Sequence, residues 1–191
     1  QVLDPHAGIA DLQGGVVRIL HHRSFVDDPP RLMRAARYEQ RFGLRIEEDT
    51  LREVQQAVAD NCLSTVSGDR LCHELERMFE EERPEVAIGR SVSLGILAGV
   101  HPSLTDAKTI ERFSSLTQKS SVEPSAAQDS GGASPLSYLA ALIYTLTEGD
   151  AERVISRLNL PPDWARVVRS TGYLKQMDAR LSDPSRQDSE R

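Results

Sequence analysis

"SFVDDPPRLMRAARYEQRFGLR", residues 24–45, opens with paired acids and paired prolines, then places arginines at 31, 34, 37, 41 and 45. An α-helix advances about 100° per residue, so Arg31, Arg34, Arg37, Tyr38 and Arg41 fall within an arc of roughly 120°. Leu32, Met33, Ala35, Ala36 and Phe42 lie mostly on the other side. The pattern predicts a helix over 30–42, ended by Gly43, with a cationic face and an apolar back. Guanidiniums crowded on one face repel each other. An acid should offset them, either within the fold or on a ligand.

The rest of the chain supports a helical class. It has 191 residues, 39% hydrophobic and only 5% aromatic, enough for one large or two small domains. Val16–Leu20 is a short β-branched run, read as one strand within a loop-rich opening over 1–23. A lone strand is unstable, so it must pair locally or with partners upstream. Asp49 or Thr50 is expected to cap a helix whose apolar face carries Leu51, Val54, Ala57 and Val58. Ser67 caps the next, with Val66 and Leu71 spaced as a hydrophobic staple. Pro84 starts a helix expected to end near Gly99 or Pro102, and a weaker one covers about 105–117. Residues 118–134 read as a polar, flexible linker. Pro135 opens an apolar helix, Asp150 is expected to cap a helix to Leu158, and Pro161–Pro162 begins another that carries Trp164. The tail, 182–191, reads as disordered.

Formal net charge is −6, so the total does not suggest nucleic-acid binding; a local patch would have to carry it. Residues 18–45 hold seven arginines against three acids, whereas 74–85 hold six glutamates against two arginines. A basic island thus sits in an acidic chain. The cysteines, Cys62 and Cys72, are too few for a disulfide framework or a thiolate zinc site. No histidine pair has metal-ligand spacing, and no stretch reaches membrane-span length.

Local chemistry leaves the arginine face open between a solvated surface, a face neutralised by the glutamate-rich segment, and a phosphate or RNA contact. Asp28 before Pro29 also fits a plain helix cap. The order of motifs adds to this. "DLQGGVVR" at 11–18 precedes "DDPPRLMRAARY" at 27–38 and "SGDRLCHEL" at 67–75. This series resembles the bacterial tRNA nucleotidyltransferase and poly(A) polymerase family, which includes the CCA-adding enzymes. The match is close over 4–80 and looser over 136–175. Departures are Asp27 where the family usually has Glu, Pro30 after Pro29, Tyr38 for Phe, and His73 where some members carry an apolar residue.

The resemblance implies an all-α, multi-helix neck and body bundle with a short loop-strand remnant of the head domain at its N-terminus. It implies a head-neck hinge remnant at 1–23, a nucleotide-selecting neck at 24–117 and a body at 135–181. Asp28 and Arg31 would read the base edge of CTP or ATP. Arg34 and Arg37 would lie near the triphosphate or hold the neck helix. Asp11, Gly15 and Arg18 look like the hinge, and Arg70 and Glu74 like the motif that braces the nucleotide-binding helix, with an ordinary i,i+4 surface pair as the alternative for these two. The chain would serve a parent enzyme adding nucleotides to tRNA or other RNA 3′ ends in the cytoplasm. The metal-binding acids, with their Mg2+, would belong to the missing head domain before Gln1. No catalytic residue, metal or cofactor is therefore expected in this chain, and isolated it is expected to be inactive. The alternatives are a non-catalytic helical RNA-binding module and a protein-interaction bundle.

Overall fold

The computed structural model describes residues 3–105, 108–120 and 134–181. Helices dominate: α1 (Gly8–Gln13), α2 (Ser24–Asp27), α3 (Arg31–Arg41), α4 (Glu48–Ala59), α5 (Gly68–Phe79), α6 (Pro84–Ser93) and α7 (Ile96–Val100) come first. α8 (Lys108–Ser120), α9 (Pro135–Ile143), α10 (Glu148–Leu158) and α11 (Pro162–Leu181) follow. The all-α class is as expected. The expected tail and residues 121–133 of the expected linker lie outside the described residues. No helix among the described residues is long and apolar enough to cross a membrane.

The β-branched run does pair locally. β1 (Val16–Val17) lies parallel to β2 (Arg45–Ile46), with Val16 opposite Arg45 and Val17 opposite Ile46. The opening was expected to be a loop before this strand, yet 8–13 is helical. The Asp4 carboxylate accepts the Gly8 and Ile9 amides at 2.7 and 2.9 Å, satisfying two donors that a helix start leaves orphaned.

Other boundaries shift for local reasons. α3 begins at Arg31 rather than 30: Asp28, which precedes Pro29, is out of helical geometry at φ −145° and ψ 80°, and the Arg31 and Leu32 amides first close three-residue turns onto the Asp28 and Pro29 carbonyls. It ends as a Schellman motif: Gly43 takes φ 60°, and the Leu44 and Gly43 amides donate to the Glu39 and Gln40 carbonyls. Glu47, not Asp49 or Thr50, caps α4 by accepting the Thr50 amide at 2.9 Å. Thr147, not Asp150, caps α10. Asp150 sits three residues on, and its carboxylate takes the Thr147 hydroxyl at 2.8 Å. The helix from Pro84 does not run on to Gly99. It breaks at Gly95, whose φ of 75° favours glycine, and restarts as α7.

Buried side chains from Phe25 to Val168 form one cluster. Phe79 of α5 has its ring centroid 6.1 Å from Phe113, 6.2 Å from Tyr138 and 6.1 Å from Trp164, so one aromatic group joins α5, α8, α9 and α11. Burial pushes the Cys72 thiol up to about 11, with help from the charges of Glu76 and Asp69, so this thiol is suppressed as a nucleophile.

The start of α5 is fixed by the end of α10. Arg157 donates to the carbonyls of Val66 and Leu63 at 3.0 and 2.7 Å, and the Asn159 amide donates to Asp69 at 2.7 Å. Gly68 lies against this backbone: a Cβ there would sit 2.6 Å from the Arg157 oxygen and 2.8 Å from the Leu158 carbonyl carbon. Backbone cannot yield as a flexible side chain does. Gly68→Ala is therefore expected to destabilise the chain by about 1–3 kcal/mol, read as a lowered urea midpoint with unchanged m-value.

Candidate nucleotide and RNA interface

α2 ends at Asp27, and the chain crosses Asp28, Pro29 and Pro30 before α3 begins. The Asp28 carboxylate does not cap α3. Instead it takes three guanidiniums. Arg70 Nη2 reaches Oδ1 at 2.5 Å, while Arg31 Nε and Arg34 Nη1 each lie 3.3 Å from Oδ2. Asp28 keeps 19% of its side chain exposed and Arg31 keeps 43%. Arg31 also donates through Nη1 to the Ser24 carbonyl at 3.2 Å. The expected acceptor and donor thus converge at the surface.

Arg70 and Glu74 do not pair with each other, although their i,i+4 spacing permits it. Each reaches across to the segment around α3. Arg34 Nε donates to Glu74 Oε1 at 2.7 Å, and Glu74 is buried. Burial works against the charge on Arg34, but the Glu74 hydrogen bond and the negative charges of Glu74 and Asp28 outweigh it. The guanidinium is held above its ordinary range.

Arg37 is 4% exposed, so it is enclosed by the fold. Its Nη1 donates to Glu81 at 3.0 Å and its Nη2 lies 3.9 Å from Glu74 Oε2. That Nη2, the Arg37 Nε and Glu74 Oε2 have no hydrogen-bond partner. Arg41 adds a contact to Glu81 at 3.5 Å. The glutamate-rich segment therefore does neutralise part of the arginine stripe, from beneath.

Asp11, Gly15 and Arg18 also meet. Arg18 Nε donates to Asp11 at 3.1 Å across the turn at Gly15, whose φ is 66°. The Gly15 carbonyl accepts the Arg45 amide at 2.9 Å, which starts the β pairing.

Sequence reasoning passed over Glu39. It is buried, accepts Arg90 Nε and Nη2 at 2.5 and 3.2 Å, and accepts the Ile46 amide at 2.9 Å. One carboxylate thus ties α3 to α6 and to β2. The available signal was Glu39 itself, an acid off the basic arc and among apolar neighbours.

Among the described residues no three His, Cys, Asp or Glu side chains converge as a metal site.

Removing Glu74 should expose the dependence of this network on its buried acid. Glu74→Ala leaves Arg34 and Arg37 short of a counter-charge and is expected to cost about 3–5 kcal/mol. Glu74→Gln, which keeps an acceptor, should cost less. Denaturant titration of both variants checks the order.

Residues 43–108 match a family model described as a probable RNA and SrmB-binding site of polymerase A. An A-adding tRNA nucleotidyltransferase of Geobacter sulfurreducens is 40% identical over 103 residues, covering 54% of this chain and 12% of that protein. An A-adding tRNA nucleotidyltransferase of Halalkalibacterium halodurans is 33% identical over 126 residues, 65% of this chain and 30% of that protein. A CCA-adding enzyme solved in an apo form superposes with a TM-score of 0.77 at 31% identity, covering 94% of this chain and 42% of the other. Related CCA-adding structures contain ATP, CTP or tRNA. The chain thus spans less than half the length of these relatives. With the ordered motifs and the helical architecture, these likenesses support one conclusion: the chain is similar to a fragment of the bacterial tRNA nucleotidyltransferases, within the helical region of the CCA-adding enzymes.

Proposed function

We propose that this chain selects the incoming nucleotide and holds the RNA 3′ end for a template-independent nucleotidyltransferase. Residues 24–117 act as the nucleotide-selecting neck, 135–181 as the body, and Asp11, Gly15 and Arg18 as the hinge to a head domain that carries the chemistry. The metal ions of the parent belong to that head, and this chain alone is inactive. A cytoplasmic location follows from such a substrate. The supporting observation is the surface pairing of Asp28 with Arg31, 3.3 Å apart, at the start of α3.

A carboxylate only accepts hydrogen bonds and a guanidinium only donates. Cytosine and adenine each present an amino group beside a ring acceptor. Asp28 takes the amino proton, and Arg31 serves the ring nitrogen of adenine or the ring nitrogen or carbonyl of cytosine. Guanine and uracil present a carbonyl beside an N–H, so they mismatch both groups. Arg70 holds Oδ1, which leaves Oδ2, with its two longer contacts, as the acceptor that meets the base. Arg34 stands at the border of the site, towards the phosphates. Arg37, enclosed under the face, takes the holding role.

The reading predicts a specific split in the parent enzyme. Arg31→Ala should reduce kcat/KM for CTP and ATP relative to UTP and GTP by about 1–3 kcal/mol of discrimination, while RNA affinity changes little. Steady-state rates with each nucleotide and a separate RNA titration measure the two effects. Equal losses in both, with selectivity intact, would remove the base-reading role.

A further inference from the structure

The strand pair has an attachment besides its own ladder. Successive residues of a strand face opposite sides, and so do their amides. In β2 the Arg45 and Glu47 amides face β1 and donate to the Gly15 and Val17 carbonyls at 2.9 and 3.0 Å. The Ile46 amide therefore points away from β1, and it donates to Glu39 Oε1 at 2.9 Å. Both residues are buried, so without that carboxylate the amide would lose its partner away from water.

Glu39 carries this contact into α3. Arg90 of α6 fixes the carboxylate, with Nε 2.5 Å from Oε2 and Nη2 3.2 Å from Oε1, so that Oε1 faces β2. Strands as short as β1 and β2 cannot hold their own angle. α3 has no internal glycine or proline, so nothing kinks it and it turns as one rod. Glu39 lies about 12 Å along that rod from Arg31, at 1.5 Å per residue. The other end of the ladder leads through Gly15 to Asp11 and Arg18, the proposed hinge. Further ties from this segment go to α4 and its cap: the Ile19 amide donates to the Thr50 hydroxyl at 3.2 Å, and Arg18 Nη1 lies 3.8 Å from Glu47 Oε1.

We propose that Glu39 is a positioning residue for nucleotide selection. By holding the Ile46 amide it fixes the angle of α3 against the strand pair behind the hinge, and that angle sets where Asp28 and Arg31 meet the base. Glu39 is enclosed by the fold and acts only through those two residues. The inference rests on the base-reading role proposed above and adds to it a residue of the opposite end of α3. Small displacements suffice for such an effect: misplacing a binding group by about 1 Å can cost up to a hundredfold in rate. Arg90 has the lesser part, since it orients the carboxylate and does not reach β2.

The test compares two double variants of the parent enzyme that lose the same pair of charges. Glu39→Gln with Arg90→Met keeps an acceptor for the Ile46 amide, whereas Glu39→Ala with Arg90→Met removes it. Neither leaves a buried charge without its partner, so both should fold, and circular dichroism checks this. Steady-state kcat/KM for CTP, ATP, UTP and GTP, with a tRNA transcript as acceptor, gives the selectivity. The alanine pair should lose roughly tenfold or more of the preference for CTP and ATP, as Arg31→Ala does, and the glutamine pair should retain it. Transcript affinity should stay unchanged in both. Leu139→Ala, a truncation of a buried side chain in α9, should lower the urea midpoint and leave selectivity intact. Full selectivity in the alanine pair, an equal loss in both pairs, or an equal loss in Leu139→Ala overturns the positioning role. Arg31→Ala in the same assay separates the two readings. Selectivity lost there but kept in the alanine pair removes the Glu39 role alone, and selectivity kept in Arg31→Ala removes base reading and the Glu39 role with it.

Discussion

The arrangement of the arginine face depends on one buried carboxylate. Glu74 lies beneath α3, takes Arg34 at 2.7 Å and stands within 3.9 Å of Arg37. Without it, guanidiniums at 34, 37 and 41 would repel each other on a single stripe. With it, and with Glu81 nearby, the acids lie inside together with Arg37, while Arg34 and Arg41 stay nearer the surface. Asp28, with 19% of its side chain exposed, is the acid of this network nearest the surface, and it is the acceptor of the proposed base-reading pair. Arg70 and Arg34 hold it from α5 and α3, so its direction is set by two helices.

That geometry depends in turn on the far end of the chain. α5 can present Arg70 and Glu74 only if its first turn is fixed. The close approach of Gly68 to the backbone of Arg157 and Leu158 fixes it, together with the hydrogen bonds from Arg157 to the carbonyls of Leu63 and Val66. At the other end of α5, the aromatic contacts of Phe79 with Tyr138 and Trp164 pack the helix against α9 and α11. The residues around Asp28 and the C-terminal helices therefore share one mechanical frame. A change in α10 is positioned to disturb Asp28 through α5 without touching it.

Much of this was legible in the residues. Apolar spacing and the glycine at 43 marked α3, and the ordered motifs singled out Asp28, Arg31, Arg70 and Glu74. What the sequence hid was long-range or atypical. Arg70 and Glu74 satisfy the helical pairing rule locally, so nothing in their spacing said that both reach towards α3. The partnership of Glu39 with Arg90 spans 51 positions and follows no local rule. Glu47 is an uncommon helix cap, and Asp4 reaches forward to start α1, so standard cap chemistry missed both. Gly95 sits within an apolar helical pattern, and only its positive φ shows that the helix breaks there.

The central claim is that Asp28 and Arg31 form a base-complementary edge while Arg37, one helical face inward, only supports it. Arginine side-chain NMR of this chain, titrated with individual nucleotides, tests it most directly. CTP and ATP should shift the Arg31 Nε–Hε resonance and leave Arg37 in place, and UTP should shift neither at the same concentration. Identical responses to CTP and UTP, or a titration felt at Arg37 and not at Arg31, would contradict it.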